Sequence, residues 1–252
     1  LGRMTPILKC AGVFKNFGGV PAVAGIDLQV QEGHIHSVIG PNGAGKSTFF
    51  NLISGELPLS AGTVYFRGHD ITHTPSHVLP HMGISRCFQL TNVFPKLSVF
   101  ENVWAAMFAR EKRGPMDFLR KFTRFPDINR KTEEIIEEVG LSHKATERAE
   151  TLSHGQSRML EVAITLAGLP TLMLLDEPTQ GLAPEATHEM TDLIKRLAKN
   201  YTILLIEHKM HIVMEISDVI SVLHLGQIIA EGKPDEIQRN ELVQDAYLGR
   251  LR

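Results

Sequence analysis

Three short segments of this 252-residue chain carry residue types whose spacing could support phosphoryl transfer. Gly40-Pro41-Asn42-Gly43-Ala44-Gly45-Lys46-Ser47-Thr48 fits the pattern G-x-x-x-x-G-K-[ST]; it follows an apolar strand ending at Ile39 and precedes a helical stretch from Phe49 to Ser54. Glycines let backbone amides close around phosphate oxygens, and the helix N-terminus adds a positive dipole end. Lys46 brings a point charge toward the β- and γ-phosphates, and Ser47 offers a hydroxyl to Mg²⁺. The second segment, residues 171–177, is an apolar strand closing on Asp176 and Glu177. In an open α/β sheet the strand end is where ligands bind, which suits Asp176 to holding Mg²⁺ and Glu177 to acting as general base for an attacking water. The third is Leu152-Ser153-His154-Gly155-Gln156, where Ser153-x-x-Gln156 forms a capping box at a helix start and presents a hydroxyl, free amides and a dipole end to an anion.

The elements that must position these groups are legible from periodicity. Strand-like stretches run over 8–17, 22–30 and 34–39, and a further strand set spans 61–71. From Ser98 the period turns helical: Ser98-x-x-Glu101 caps a helix carrying Val103, Trp104, Met107 and Phe108, and 132–139 reads as a second amphipathic helix. Helices over 156–169 and 184–199 then alternate with apolar strands over 172–175 and 203–206, which predicts a parallel sheet because parallel strands need crossover connections. A hairpin at 219–223 and 227–231 and a polar helix over 234–248 complete the chain.

Composition bounds the function. With 43% hydrophobic residues, 21% charged and a net charge of −2, the chain has the balance of a globular domain and lacks the basic surplus of a generic duplex-binding protein, so no nucleic-acid partner is expected. No apolar run approaches the ~20 residues that span a bilayer, and the N-terminal ten residues lack a secretory core. Two cysteines, Cys10 and Cys87, suggest a reducing compartment. Between Arg110 and Lys131 lies a basic patch, read either as a solvated loop or as a surface for an anionic bilayer or acidic partner. His69, His73, His77 and His81 recur every fourth residue and His34 and His36 alternate; Pro75 and Pro80 interrupt the first series, and both sets are expected as surface polar residues rather than zinc ligands.

Taken together, the three segments make the chain resemble the nucleotide-binding subunits of ABC transporters over nearly its whole length, because Leu152–Gln156 is similar to that family's LSGGQ signature and precedes the second segment at the family's spacing. The resemblance implies a P-loop NTPase α/β fold with a RecA-like parallel-sheet core, an antiparallel β subdomain and a helical signature subdomain. One cassette is expected over 5–250, with core 5–88 and 166–250, helical subdomain 89–165 and an insertion near 109–131. It further implies ATP sandwiched between two subunits, with residues 40–48 of one facing Ser153, His154, Gly155 and Gln156 of the other. Gln89 matches the Q-loop glutamine that reaches Mg²⁺ and the attacking water, His208 the switch histidine at the γ-phosphate, and Phe17 the aromatic that stacks on adenine. The implied partners are transmembrane permease subunits, a like or related ATPase subunit and, indirectly, a solute-binding protein, with the chain peripheral on the cytoplasmic face of the cell membrane; Val93 and Phe94 fall in the expected coupling loop. Two positions depart from the family pattern: His154 stands where glycine is usual, either pointing away or adding a phosphate contact, and Gly181–Pro184 replaces a loop that usually carries an aspartate. Residues 17–19, 83–89, 180–184 and 246–249 are similar to the subfamily serving branched-chain amino-acid importers; the Ser-His-Gly variant is also similar to urea or short-amide importers, and a non-transport ABC ATPase is the competing class.

Overall fold

Apolar alternation sorts the strands into two sheets. The computed structural model describes residues 5–87, 93–110 and 125–250; Gln89 and most of the expected 109–131 insertion lie outside them. β1 (Leu8–Phe17), β2 (Val20–Val30), β4 (Ala61–Phe66) and β5 (His69–Asp70) form an antiparallel sheet in the order β2-β1-β4-β5. A Gly18-Gly19 turn pairs Phe17 with Val20, so β2 starts two residues earlier than its apolar pattern suggests. The second sheet has the order β10-β9-β3-β8-β7-β6, built from β3 (Ile35–Ile39), β6 (Ile84–Cys87), β7 (Leu172–Asp176), β8 (Thr202–Ile206), β9 (Val219–His224) and β10 (Gln227–Gly232). Its central pairs are parallel, and only the β9–β10 hairpin is antiparallel.

β7 and β8 are fully buried, so they read as unbroken apolar runs, yet their side chains still alternate between two cores. Met173, Leu175, Ile203 and Leu205 face a core built with the helices α3 (Val99–Arg110), α4 (Pro126–Glu138), α5 (His154–Ala167) and α6 (Pro184–Leu197). Leu172, Leu174, Leu204 and Ile206 face the antiparallel sheet and α1 (Lys46–Ile53). The parallel sheet is thus sandwiched, and its strand ends are left as the place where loops converge. In the helical layer Trp104 stacks on Phe108 at 4.8 Å, and Phe125 meets Phe108 edge-on at 5.4 Å.

Several boundaries differ from the sequence reading. A one-turn helix α2 (Leu79–Met82), too short for a periodic signal, precedes β6. α4 begins at Pro126, six residues before its apolar face becomes obvious, because proline is favoured in the first turn. The polar C-terminal stretch is two helices, α8 (Pro234–Gln238) and α9 (Glu241–Tyr247), since Asn240 turns out of the helix and its side chain accepts from the Val243 amide. α7 (Met210–Ile216) follows β8. His69, His73, His77 and His81 are exposed, as expected. His36 is not a surface residue: it is 1% exposed on β3, hydrogen-bonded to Ser221 Oγ at 2.7 Å, because both faces of this central strand are covered. No helix among the described residues is long and apolar enough to cross a membrane.

Candidate functional site

The loop from β3 into α1 closes one wall of a depression of about 310 Å³, lined by Asn42, Gly43, Ala44, Gly45, Lys46, Ser47, Thr48 and Ala22, with Glu177 and His208 opposite. The chain can turn here because Gly45, at the N-cap of α1, has φ +100° and sits so close to β2 that a Cβ would come 2.3 Å from the Ala22 carbonyl oxygen. The Gly226 amide donates to Ala44 O (2.9 Å) and the Ala24 amide to Gly226 O (2.8 Å), so the β9–β10 turn ties the loop to the antiparallel sheet. Lys46 is buried, and its ammonium donates to Gly40 O (2.8 Å) and Pro41 O (3.0 Å). Burial holds the Lys46 ammonium below its ordinary value, with the carboxylates of Glu177 and Asp176 pulling it back up.

Asp176 ends β7, as its place after the apolar run predicts. Its Oδ2 accepts from Arg86 Nη2 at 2.9 Å, and the same guanidinium donates through Nη1 to Asn51 Oδ1 (2.6 Å) and Ser54 Oγ (2.8 Å), so Arg86 links the second strand motif to the phosphate-loop helix. Burial raises the Asp176 carboxyl above its ordinary value and the Arg86 charge opposes that rise. Its Oδ1 is buried and lacks a hydrogen-bond partner among the described residues. An orphaned carboxylate oxygen, together with the Ser47 hydroxyl on the wall of the depression, fits a hard divalent cation such as Mg²⁺.

Glu177 adopts φ 51°, a left-handed conformation that costs ~1–2 kcal/mol outside glycine, held in place by its amide donating to Ile206 O at 2.9 Å. That turn aims its carboxylate at His208, whose Nε2 is hydrogen-bonded to Glu177 Oε1. These parts, a phosphate-wrapping loop with a buried lysine, a strand-end aspartate and an adjoining carboxylate paired with histidine, define a P-loop nucleoside triphosphatase.

The remaining predicted residues fall elsewhere. Ser153 and Gln156 form both bonds of the capping box, Gln156 N to Ser153 Oγ at 3.3 Å and Ser153 N to Gln156 Oε1 at 3.0 Å. None of Ser153, His154, Gly155 and Gln156 lines the depression. Gly155 packs on α6, where a Cβ would come 2.8 Å from Ala186 Cβ, and the His154 ring lies over Gly181, its Nε2 3.3 Å from where a Cβ of that residue would be. His154 is exposed, with its ring beside the loop of its own chain that departs from the family pattern. Phe17 is exposed at the β1–β2 turn with the Lys15 ammonium 5.3 Å from its ring centre, and it too is absent from the wall of the depression. Pro184 opens α6, as its proline chemistry predicts. Gln89 lies outside the described residues. Sequence reading passed over Arg86 and Glu207, which have no motif of their own; their one signal is a charged residue on or directly after a strand whose other residues are buried.

The family model described as ABC transporter matches residues 23–180, and that for a branched-chain amino acid ATP-binding cassette transporter matches 227–250. The chain is 38% identical over 253 residues to the high-affinity branched-chain amino acid transport ATP-binding protein BraF of Pseudomonas aeruginosa, spanning 97% of this chain and 98% of BraF. It is equally 38% identical to LivG of Escherichia coli, a protein of the same description, again over 97% and 98% of the two chains. Among solved structures it superposes on an ATP-binding cassette of an ABC transporter in its ADP conformation with TM-score 0.85 at 33% identity, covering 97% of this chain and 99% of that one. The chain belongs to the ABC transporter family and is one of its ATP-binding ATPases.

Proposed function

We propose that this chain is the ATP-hydrolysing subunit of an importer for branched-chain and other hydrophobic amino acids, acting through separate membrane permease subunits. The observation that carries the reading is full-length likeness to BraF and LivG, joined to the C-terminal match at 227–250. One cassette over 5–250, divided as expected above, would sit peripherally on the cytoplasmic face of the cell membrane, paired with a second copy or a related ATPase subunit and served by a solute-binding protein.

In this reading the amides of residues 40–48 and the Lys46 ammonium hold the β- and γ-phosphates, and Phe17 stacks on adenine. Ser47 and Asp176, with Gln89, would hold Mg²⁺, which would supply neutralisation of phosphate charge. Glu177 takes the proton of a water whose oxygen attacks the γ-phosphorus, the bond to the β–γ bridging oxygen breaks, and ADP and phosphate leave. His208, bonded to Glu177 Oε1, orients that carboxylate and reaches the γ-phosphate. The helix start at Ser153–Gln156 closes on the γ-phosphate held by the opposite subunit, consistent with its place away from its own chain's depression. Phe94, 61% exposed beside half-buried Val93, offers an apolar contact to the permease.

The test is a tagged chain recovered from detergent-solubilised native membranes, then reconstituted with whatever co-purifies. Co-purification of polytopic permeases and MgATP-dependent uptake of labelled leucine support the reading. Uptake of urea instead overturns the substrate class, and recovery of nucleic acid without a membrane protein overturns the transporter itself.

A further inference from the structure

Glu207, the last residue before His208, is 2% exposed and lies beyond the end of β8 (Thr202–Ile206). Its two oxygens face two different loops. Oε1 accepts from the Thr179 amide at 3.3 Å and from the Thr179 hydroxyl; Oε2 accepts from the amides of His208 (2.7 Å) and Lys209 (3.1 Å). The Lys209 ammonium adds a second strap, donating to Thr179 O (3.1 Å) and Thr187 Oγ1 (3.0 Å) at the start of α6. The loop after β7, which carries Glu177 and Thr179, and the loop after β8, which carries His208, are therefore held to each other by the buried Glu207 carboxylate and the Lys209 ammonium. The contact that closes this ring is His208 Nε2 on Glu177 Oε1.

A buried carboxylate that accepts four donors cannot be displaced without stranding desolvated donors. The two amides on Oε2 fix where the His208 backbone starts, and the bonds on Oε1 fix the turn that follows Glu177. We propose that Glu207 is a positioning residue for hydrolysis: it sets the distance between His208 and Glu177 and makes the two loops move as one unit, a role that rests on the functions proposed above for Glu177 and His208. It touches no substrate itself. A merely structural carboxylate would act on the folded fraction; a positioning one acts on turnover after ATP has bound.

The experiment compares Glu207→Gln and Thr179→Val with the unmodified full-length chain, using equilibrium ATP binding, steady-state ATPase rates and thermal melting, with Glu177→Gln run alongside. Glutamine has the same shape but turns one oxygen into a donor facing donors. The expected result for Glu207→Gln is one ATP bound per chain with unchanged Kd, and kcat reduced by about 10- to 100-fold. Thr179→Val, which removes only the hydroxyl bond, keeps Kd and lowers kcat by a smaller factor of about 3 to 10. Unchanged kcat in a folded Glu207→Gln overturns the proposal, as does a joint loss of binding stoichiometry and melting temperature matching the loss of rate. Should Glu207→Gln fail to fold, unchanged kcat in Thr179→Val overturns it. Turnover at the unmodified rate in Glu177→Gln overturns the proposed base instead, so the two failures are told apart.

Discussion

Acidification from pH 7 to pH 4 is expected to remove about 3 kcal/mol of stability through His36 alone. The ring is 1% exposed on the central strand β3. Ser221 Oγ donates its single hydrogen to Glu231 Oε2 at 2.6 Å, so the 2.7 Å contact between His36 Nε2 and Ser221 Oγ has the imidazole as donor, which assigns the neutral Nε2–H tautomer. Desolvation, reinforced by nearby His34, lowers the His36 value from 6.5 to about 4. The Glu231 carboxylate, 3.9 Å away, pulls the other way, but its side chain is 42% exposed and water screens it, so burial wins. Between these two values the unfolded chain binds a proton that the folded chain refuses, so stability rises with pH across the window and is lost as pH falls through it. At ~1.4 kcal/mol per pH unit the full depression is worth about 3 kcal/mol, a large share of the ~5–15 kcal/mol typical of a folded protein. Urea unfolding followed by the single tryptophan, buried Trp104, measures this at pH steps between 7 and 4. His36→Gln keeps an amide donor toward Ser221 and cannot titrate, so the difference in slope between the two proteins isolates the imidazole from the carboxylates that protonate in both. Parallel curves across the window, or an imidazole resonance of His36 titrating near 6.5, would mean that burial does not disfavour the imidazolium.

Two further outcomes follow from burial and close packing. Arg86→Met strands the Asp176 carboxylate, a pair whose side chains are 9% and 1% exposed, and is expected to cost ~3–5 kcal/mol in urea unfolding at neutral pH; a loss under ~1 kcal/mol would mean that water or another cation takes the place of the guanidinium. Gly155→Ala places a methyl 2.8 Å from Ala186 Cβ and should cost ~1–3 kcal/mol through overpacking between α5 and α6, visible as a lower melting temperature.

Motifs with their own local chemistry could be read without coordinates. The glycine loop, Asp176 at a strand end and both capping boxes declare themselves because a turn, a strand terminus or an N-cap constrains residue type within a few positions. The parallel core was equally legible, since β7 and β8 are apolar throughout. Groups whose role depends on contacts far along the chain stayed silent. Arg86 meets Asp176 across 90 residues and Glu207 meets Thr179 across 28, distances over which local pattern carries no information. His36 resembles a surface residue because alternation with His34 mimics a half-exposed strand, whereas the strand is paired on both edges with β8 and β9 and covered on both faces by apolar clusters. His154 was undecidable from sequence because its contact, Gly181, sits on a different loop.

Glu177 is proposed above as the base that ends an ATP-bound, paired state. Size-exclusion chromatography of Glu177→Gln with and without ATP tests it most directly, since the amide keeps the shape of a side chain only 7% exposed but cannot take a proton. The expected result is unimpaired ATP binding, arrested hydrolysis and a dimer that accumulates only with ATP. Turnover at the unmodified rate, with no such dimer, would contradict it.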